Sequence, residues 1–231
     1  PVLTLILQRL PATLLLGASV LAFALVTGVA LGILAASRVG RWPDTAVSTL
    51  ALLGYATPNF WLGLMLVLVF AVWVPVLPPF GMSSIGAGYQ GLRRVADIGW
   101  HLVLPTLALG THYMGVFARI TRASMIEVSD MVFVKAARSK GITERQVVWR
   151  HVFRNALLSV ITYTGLQAGS LVGGTVLIET VFAWPGVGRL AYDAIVTRDY
   201  TLLLGTFLVT SVLVIVINLV TDVIYTFADP R

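Results

Sequence analysis

The chain has 231 residues, 58% of them hydrophobic and 11% charged, with a mean hydropathy of +0.90 and a net charge of +6. Soluble globular domains carry about 25% charged residues. A fully water-exposed surface is therefore excluded, and a bilayer fits, where a spanning helix needs ~20 apolar residues. The absence of cysteine excludes a disulfide framework, a thiolate metal site and a catalytic thiol.

The chain opens on Pro1, with no charged n-region or cleavage site, so its true N-terminus is expected upstream. Five apolar segments follow: Leu10–Ala36, Ala46–Val74, Trp100–Ala118, Ala156–Ile178 and Thr201–Phe227. They are apolar all round rather than alternating, which predicts helices and not barrel strands. The third carries Pro105, which is expected to break it, along with His101, His112 and Tyr113. An amphipathic surface helix is the other reading of that segment. The fourth carries Gly165, Gly169, Gly173 and Gly174, a spacing that lets helices approach closely in lipid. Asn59 and Gln167 fit either the wall of a path or packing hydrogen bonds. Asp222, near the end of the last segment, is expected to cap or pair rather than to touch cargo.

The loops between segments set the topology. Loops 37–45 and 119–155 and the C-terminus share one side, with eleven basic residues; the opposite side has five. The positive-inside rule makes the long basic loop cytoplasmic and places residue 1 outside. An outside N-terminus again suggests an earlier span upstream. Positive charge placed this way answers to headgroups and topology, not to nucleic acid.

The stretch 129–155 within that loop is too polar to span. Val132, Phe133, Ala136 and Ala137 recur at a helical period, with Ser129 as the expected N-cap. Gly141 is expected to end this short helix with a positive φ. Thr143 and Gln146 suit a capping box that starts a second helix. The small pair Ala136–Ala137, flanked by Lys135, Arg138, Lys140 and Arg145, suits an acidic groove on another protein. A basic helix resting on anionic headgroups is the alternative. Arg150 and Arg154 fit a partner or headgroups equally. On the other side, Trp184-Pro-Gly186 predicts a turn, either with an aromatic at the membrane interface or packed inward.

Lys135-Ala-Ala-Arg-Ser-Lys-Gly141, followed by Arg150-His-Val-Phe-Arg-Asn155, resembles the EAA loop of ABC importer permeases. It is most similar to the B-type subunit of the dipeptide, oligopeptide and nickel family. The family's name-giving Glu falls at Lys135 here. Arg9-Leu-Pro-Ala-Thr13, Pro58-Asn-Phe-Trp-Leu-Gly63 and the run Glu179-Thr-Val-Phe-Ala-Trp-Pro-Gly-Val-Gly-Arg189 also match, as do Arg198-Asp-Tyr200 and the ending from Asn218 through Asp229-Pro-Arg231.

The resemblance implies an all-α, polytopic membrane helix bundle of the type I importer fold. It would form one permease domain over 1–231 with the coupling loop at 129–155, and the family's first span would be missing. It implies a coupling helix at about Met131–Gly141, seated on a cytoplasmic ATPase, with Lys135, Ala136, Ala137, Arg138, Lys140, Gly141, Arg150 and Arg154 at the coupling surface. Glu179, Trp184, Pro185 and Gly186 would form an external loop or gate. The expected partners are a homologous C-type permease, two ATPase subunits, an extracytoplasmic binding protein and membrane lipid. The cargo would be a peptide or similar small solute. No GxxxxGK[ST] loop is present, so ATP and Mg would belong to the ATPase subunits and this chain would not be an enzyme. A passive channel, a membrane anchor and an intramembrane hydrolase using Ser170 and His112 are the rival readings. No metal site is expected.

Overall fold

A computed structural model describes residues 1–228; the side chains of Val172, Asp222 and residues 224–228 lie outside the description. The readings of Asp222 and of the Asp229-Pro-Arg231 ending fall there. The described chain is helical. Helix α1 is Val2–Ala36, α2 Trp42–Ala56 and α3 Asn59–Val67, which continues as a wide π-helical turn to Trp73. Helix α4 is Leu92–Ser129, α5 Val132–Ser139, and α6 Glu144–Gln146, which runs through a second π turn into α7, Arg154–Gly174. Three helices complete the chain: α8 Val176–Val181, α9 Val187–Thr197 and α10 Tyr200–Ala228.

By length and composition α1 and α10 can each cross a membrane, and α2 with α3 forms a third candidate, bent by 99°. The single straight span expected over Ala46–Val74 is therefore corrected. Pro58 disfavours the helical region for its predecessor, and Thr57 is extended at φ −76°, ψ 128°. The expected break at Pro105 is also corrected. That ring removes one N–H, whose helical acceptor would be the His101 carbonyl, and α4 runs on through it. A lone proline inside a packed membrane helix is tolerated when neighbours hold the backbone.

The α1–α4 pair is the spine of the bundle. A β-carbon at Gly28 would sit 2.6 Å from Phe117 Cβ, and one at Gly32 would sit 2.5 Å from Thr121 Cβ. Two glycines four apart thus bring the backbones close enough for dispersion contacts along the seam. The same device joins α7 to α10: a β-carbon at Gly165 would overlap the Thr221 methyl, and one at Gly169 the Asn218 amide. Gly173 faces open space, so only part of the glycine spacing serves packing. Leu16, Val20, Ala24, Leu104, Leu109, Met114, Phe117, Val160 and Leu171 fill the core. By contrast α10 buries only 6% of its most apolar stretch, so its Leu, Val and Ile side chains face the surroundings. That pattern belongs to a helix solvated by lipid or by another membrane chain.

The connectors sort into two ends. At one, the Gly81 N–H donates to the Phe182 carbonyl at 2.8 Å, joining connector 74–91 to the turn after α8. At the other, Arg122 on α4 clamps Asp44 in the first turn of α2, with Nε to Oδ1 at 2.5 Å and Nη2 to Oδ2 at 2.9 Å. There Ile33 and Ala36 of α1 pack on Met125, Val128 and Val134. Connector 37–41 and the loop after α4 therefore share an end, as the alternation of loops predicts.

Candidate functional site

The loop between α4 and α7 is a helix, a glycine turn and a second helix. The expected N-cap at Ser129 is corrected: α4 runs to Ser129, and Met131 precedes the first turn of α5. Val134 packs with Met125, Val128, Val147 and Val152, and Ala137 is buried, while Val132 is 82% exposed and Ala136 lies outward. The small pair is thus divided, with Ala137 buried and only Ala136 exposed. Gly141 has φ +77°, as the turn requires, and a β-carbon there would meet open space. Thr143 does precede α6, but its hydroxyl donates to Gln146 Oε1 at 3.0 Å, where a capping box would bond backbone N–H groups.

Arg138 points back into the loop and not outward to an acidic groove. Its Nη2 donates to Glu144 Oε1 at 2.9 Å and to Ser129 Oγ at 3.0 Å; its Nε donates to Glu144 Oε2 at 3.2 Å. One guanidinium thereby ties the end of α4, the end of α5 and the start of α6. The outward cations are Lys135, Lys140, Arg145, Arg150 and Arg154, all exposed, next to exposed Met131, Val132, Phe133 and Trp149. This is a surface of apolar contacts rimmed by positive charge.

Its partner Arg138 holds the Glu144 carboxyl below the usual carboxylate range. A carboxylate with a depressed folded pKa stabilises above its unfolded value and loses that contribution as pH falls through the folded one. The clamp is therefore expected to be constant at neutral pH and to loosen only below pH 4.5, the ordinary glutamate value. Both side chains are solvent-accessible, so the effect is under ~1 kcal/mol. Hydrogen exchange of α5, corrected for intrinsic rate, should rise with acidification in this window, and Glu144→Gln should remove the step. An identical acid response in that variant would show that another group governs the loop.

At the opposite end lies a buried polar node. Glu179 on α8 is wholly buried. It accepts hydrogen bonds from the Thr13 hydroxyl of α1 (2.8 Å), the Thr175 hydroxyl (2.9 Å) and the Arg189 N–H (2.9 Å). Thr13 Oγ1 in turn accepts the Val187 N–H at 2.8 Å. The carboxyl group thus satisfies the N-terminus of α9, where unpaired N–H groups and the helix dipole favour an acceptor. A β-carbon at Gly186 would overlap the Glu179 carboxyl group, which explains the glycine after Pro185.

Of the two readings of Trp184, the inward one is observed. Its ring is fully buried and its indole N–H donates to the Ala12 carbonyl at 2.8 Å. The residues after it, read as loop, form helix α9. Ala183 takes a positive φ of 50° to make the turn.

Three features were not foreseen. Arg119 and Arg122, assigned to the cytoplasmic loop, are on α4. Thr13, part of the Arg9–Thr13 motif, is a hydrogen-bond donor to Glu179. Tyr55, His112 and Arg119 come together where α2 ends beside α4. A charge with an apolar neighbour every third or fourth residue, as in Arg119-Ile-Thr-Arg-Ala-Ser-Met125, was the available signal that the helix continues.

The long pair α1–α4, the bent α2–α3 element and a helical loop seated on the end of α4 form an all-helical membrane fold. An inward-facing structure of the MetNI methionine ABC transporter has this fold, with a TM-score of 0.78 at 19% identity, covering 99% of this chain and 98% of that one. A sequence profile of binding-protein-dependent transport system inner membrane components matches residues 28–231, and the chain belongs to that family. The oligopeptide transport system permease protein AppB of Bacillus subtilis is 38% identical over 231 residues, covering all of this chain and 72% of AppB. The di/tripeptide transport system permease protein DppB of Pseudomonas aeruginosa is 40% identical over 241 residues, covering 97% of this chain and 71% of DppB. Membership of a binding-protein-dependent transport family favours the importer reading over a channel or an anchor.

Proposed function

We infer that this chain is one transmembrane subunit of an ATP-driven importer of peptides, coupled to separate ATPase subunits. The observation that carries this is the loop after α4. A short helix with an apolar, cation-rimmed outer face is held rigidly by Arg138 and by the inward Val134 and Ala137. Such a surface suits a groove with acidic walls, and its rigid seat on α4 suits transmission of a push into the bundle. On this reading the loop's end of the bundle is cytoplasmic, as the positive-inside rule favours. Five spans cross the bilayer, α2 with α3 acting as one. Lys135, Ala136, Gly141, Arg150 and Arg154 serve the ATPase contact or its lever, and Ala137 and Arg138 serve the loop's rigidity.

The turn at Trp184, Pro185 and Gly186, locked by Glu179, lies at the external end and acts as the fixed rim of a gate. A homologous permease completes the path, and a binding protein delivers the cargo. ATP and Mg are held by the ATPase pair. Peptide cargo is favoured by the similarity to AppB and DppB, an oligopeptide and a di/tripeptide transport permease.

Purification of the full-length protein from its native membranes in mild detergent tests this. A P-loop ATPase and a second permease are expected to co-purify, with vanadate-sensitive ATP hydrolysis stimulated by peptide-loaded binding protein. A chain that purifies without any ATPase and passes solute without ATP would overturn it.

A further inference from the structure

The Tyr55 ring contacts two side chains of α4. The His112 ring stacks on one face, with centroids 4.7 Å apart and planes 23° off parallel. The Arg119 Cζ lies 4.5 Å from the ring centroid. The two contacts therefore bring the Arg119 Cζ closer to the His112 ring than the about 10.5 Å that seven residues of α-helix rise. The Arg119 guanidinium is consequently drawn toward the N-terminal side of its own Cα, as helical side chains lean. It points toward His112, beside the helix midpoint, and away from the end that enters the coupling loop.

That direction is informative. A surface arginine near the end of a membrane helix ordinarily stretches toward the headgroups. Arg119 does the reverse, and among the described residues it pairs with no carboxylate. Arg119 and Tyr55 are exposed and His112 is half-buried. An unpaired guanidinium directed into the hydrocarbon against lipid is costly; facing a watery path, it is not.

The chemistry of the three groups then defines a ligand. With one face on Tyr55, the guanidinium keeps its N–H edge free for two parallel bonds to a carboxylate. A carbonyl only accepts, so the 3.1 Å contact of His112 Nδ1 with the Tyr55 carbonyl places the proton on Nδ1. In its neutral form the ring then presents Nε2 as an acceptor. A donor fork for an oxyanion and a nearby acceptor for an N–H match the C-terminal end of a peptide.

We propose that Tyr55, His112 and Arg119 form a cargo-contact site on the translocation path that takes the carboxylate end of a passing peptide. It deepens the importer reading given above and rests on it. Arg119 supplies the contact, Tyr55 orients it, and His112 fixes Tyr55 and offers the acceptor.

The test uses the whole transporter in proteoliposomes with its binding protein, and trialanine or its C-terminal amide as probe. Arg119→Gln is expected to lower trialanine uptake about ten-fold, with peptide-independent ATP hydrolysis and melting temperature unchanged. Arg119→Lys is expected to keep at least a third of it, and uptake of the amide to change less than two-fold in either variant. Equal losses for acid and amide, no loss in Arg119→Gln, or no rescue by lysine would overturn the site. A loss that follows the phosphatidylglycerol content of the vesicles and not the peptide terminus would assign the guanidinium to lipid phosphate and overturn it as well. Absence of all peptide uptake by the wild-type complex would instead sink the peptide reading itself, and the site with it.

Discussion

Glu179→Ala is expected to lower the melting temperature of the detergent-solubilised chain by about 10 °C. The carboxyl group receives three hydrogen bonds in a fully buried setting. The two threonine hydroxyls can rotate toward carbonyls of their own helices and recover part of what they lose. The Arg189 N–H cannot rotate. Leaving it orphaned costs ~1–3 kcal/mol, and the cavity adds to that. A total near 3–5 kcal/mol corresponds to roughly 10 °C for a chain of this size. Glu179→Gln keeps the shape and one acceptor oxygen, and hydroxyls accept as readily as they donate. Its shift should be less than half as large. Thr13→Val should fall between, because it severs α1 from both Glu179 and the Val187 N–H. Melting within about 2 °C of wild type for Glu179→Ala would mean the node does not hold this end of the bundle together.

The outline of the bundle was legible because lipid-facing helices advertise themselves by composition. The turn at Gly141 was legible because a glycine closes a short amphipathic run. What escaped reading were contacts between residues far apart in the chain. Glu179 looked like a surface acid of a loop, since its partners Thr13 and the Arg189 N–H are 166 and 10 residues away. Arg119 and Arg122 looked like the start of a cytoplasmic loop, because charge ordinarily marks where a helix leaves the membrane. The α4 helix continues past them since Asp44, 78 residues earlier, neutralises Arg122, and Tyr55 stacks on Arg119. The bend at Pro58 was hidden by an apolar run that reads evenly through it. Hydropathy reports the surroundings of a segment, whereas the bend depends on one backbone torsion.

Position 141 should show a graded loss of coupling that follows backbone preference and not side-chain volume. No neighbouring atom lies within reach of a β-carbon there, so a substitution meets no steric clash beyond its own backbone. The cost lies in φ +77°, which L-residues avoid by about 1–2 kcal/mol, asparagine less and β-branched residues more. Relieving it would rotate α5 away from α6, and the Gly141 N–H bond to the Arg138 carbonyl (3.0 Å) would go first. The Arg138–Glu144 clamp would follow. Each 1.4 kcal/mol shifts a population ten-fold. Gly141→Val should therefore leave only a few per cent of loops in the coupling geometry, Gly141→Ala a fifth or so, and Gly141→Asn most of them. Peptide uptake by the reconstituted complex should rank glycine, asparagine, alanine, valine, with melting temperatures within about 2 °C of one another because the loop sits outside the main core. Equal uptake in the valine variant would show that the angle of this turn does not matter to transport. A loss in Gly141→Asn as deep as in Gly141→Val would show that the open space around position 141 is filled by the ATPase in the complex, making the glycine a docking requirement and not a hinge of fixed angle.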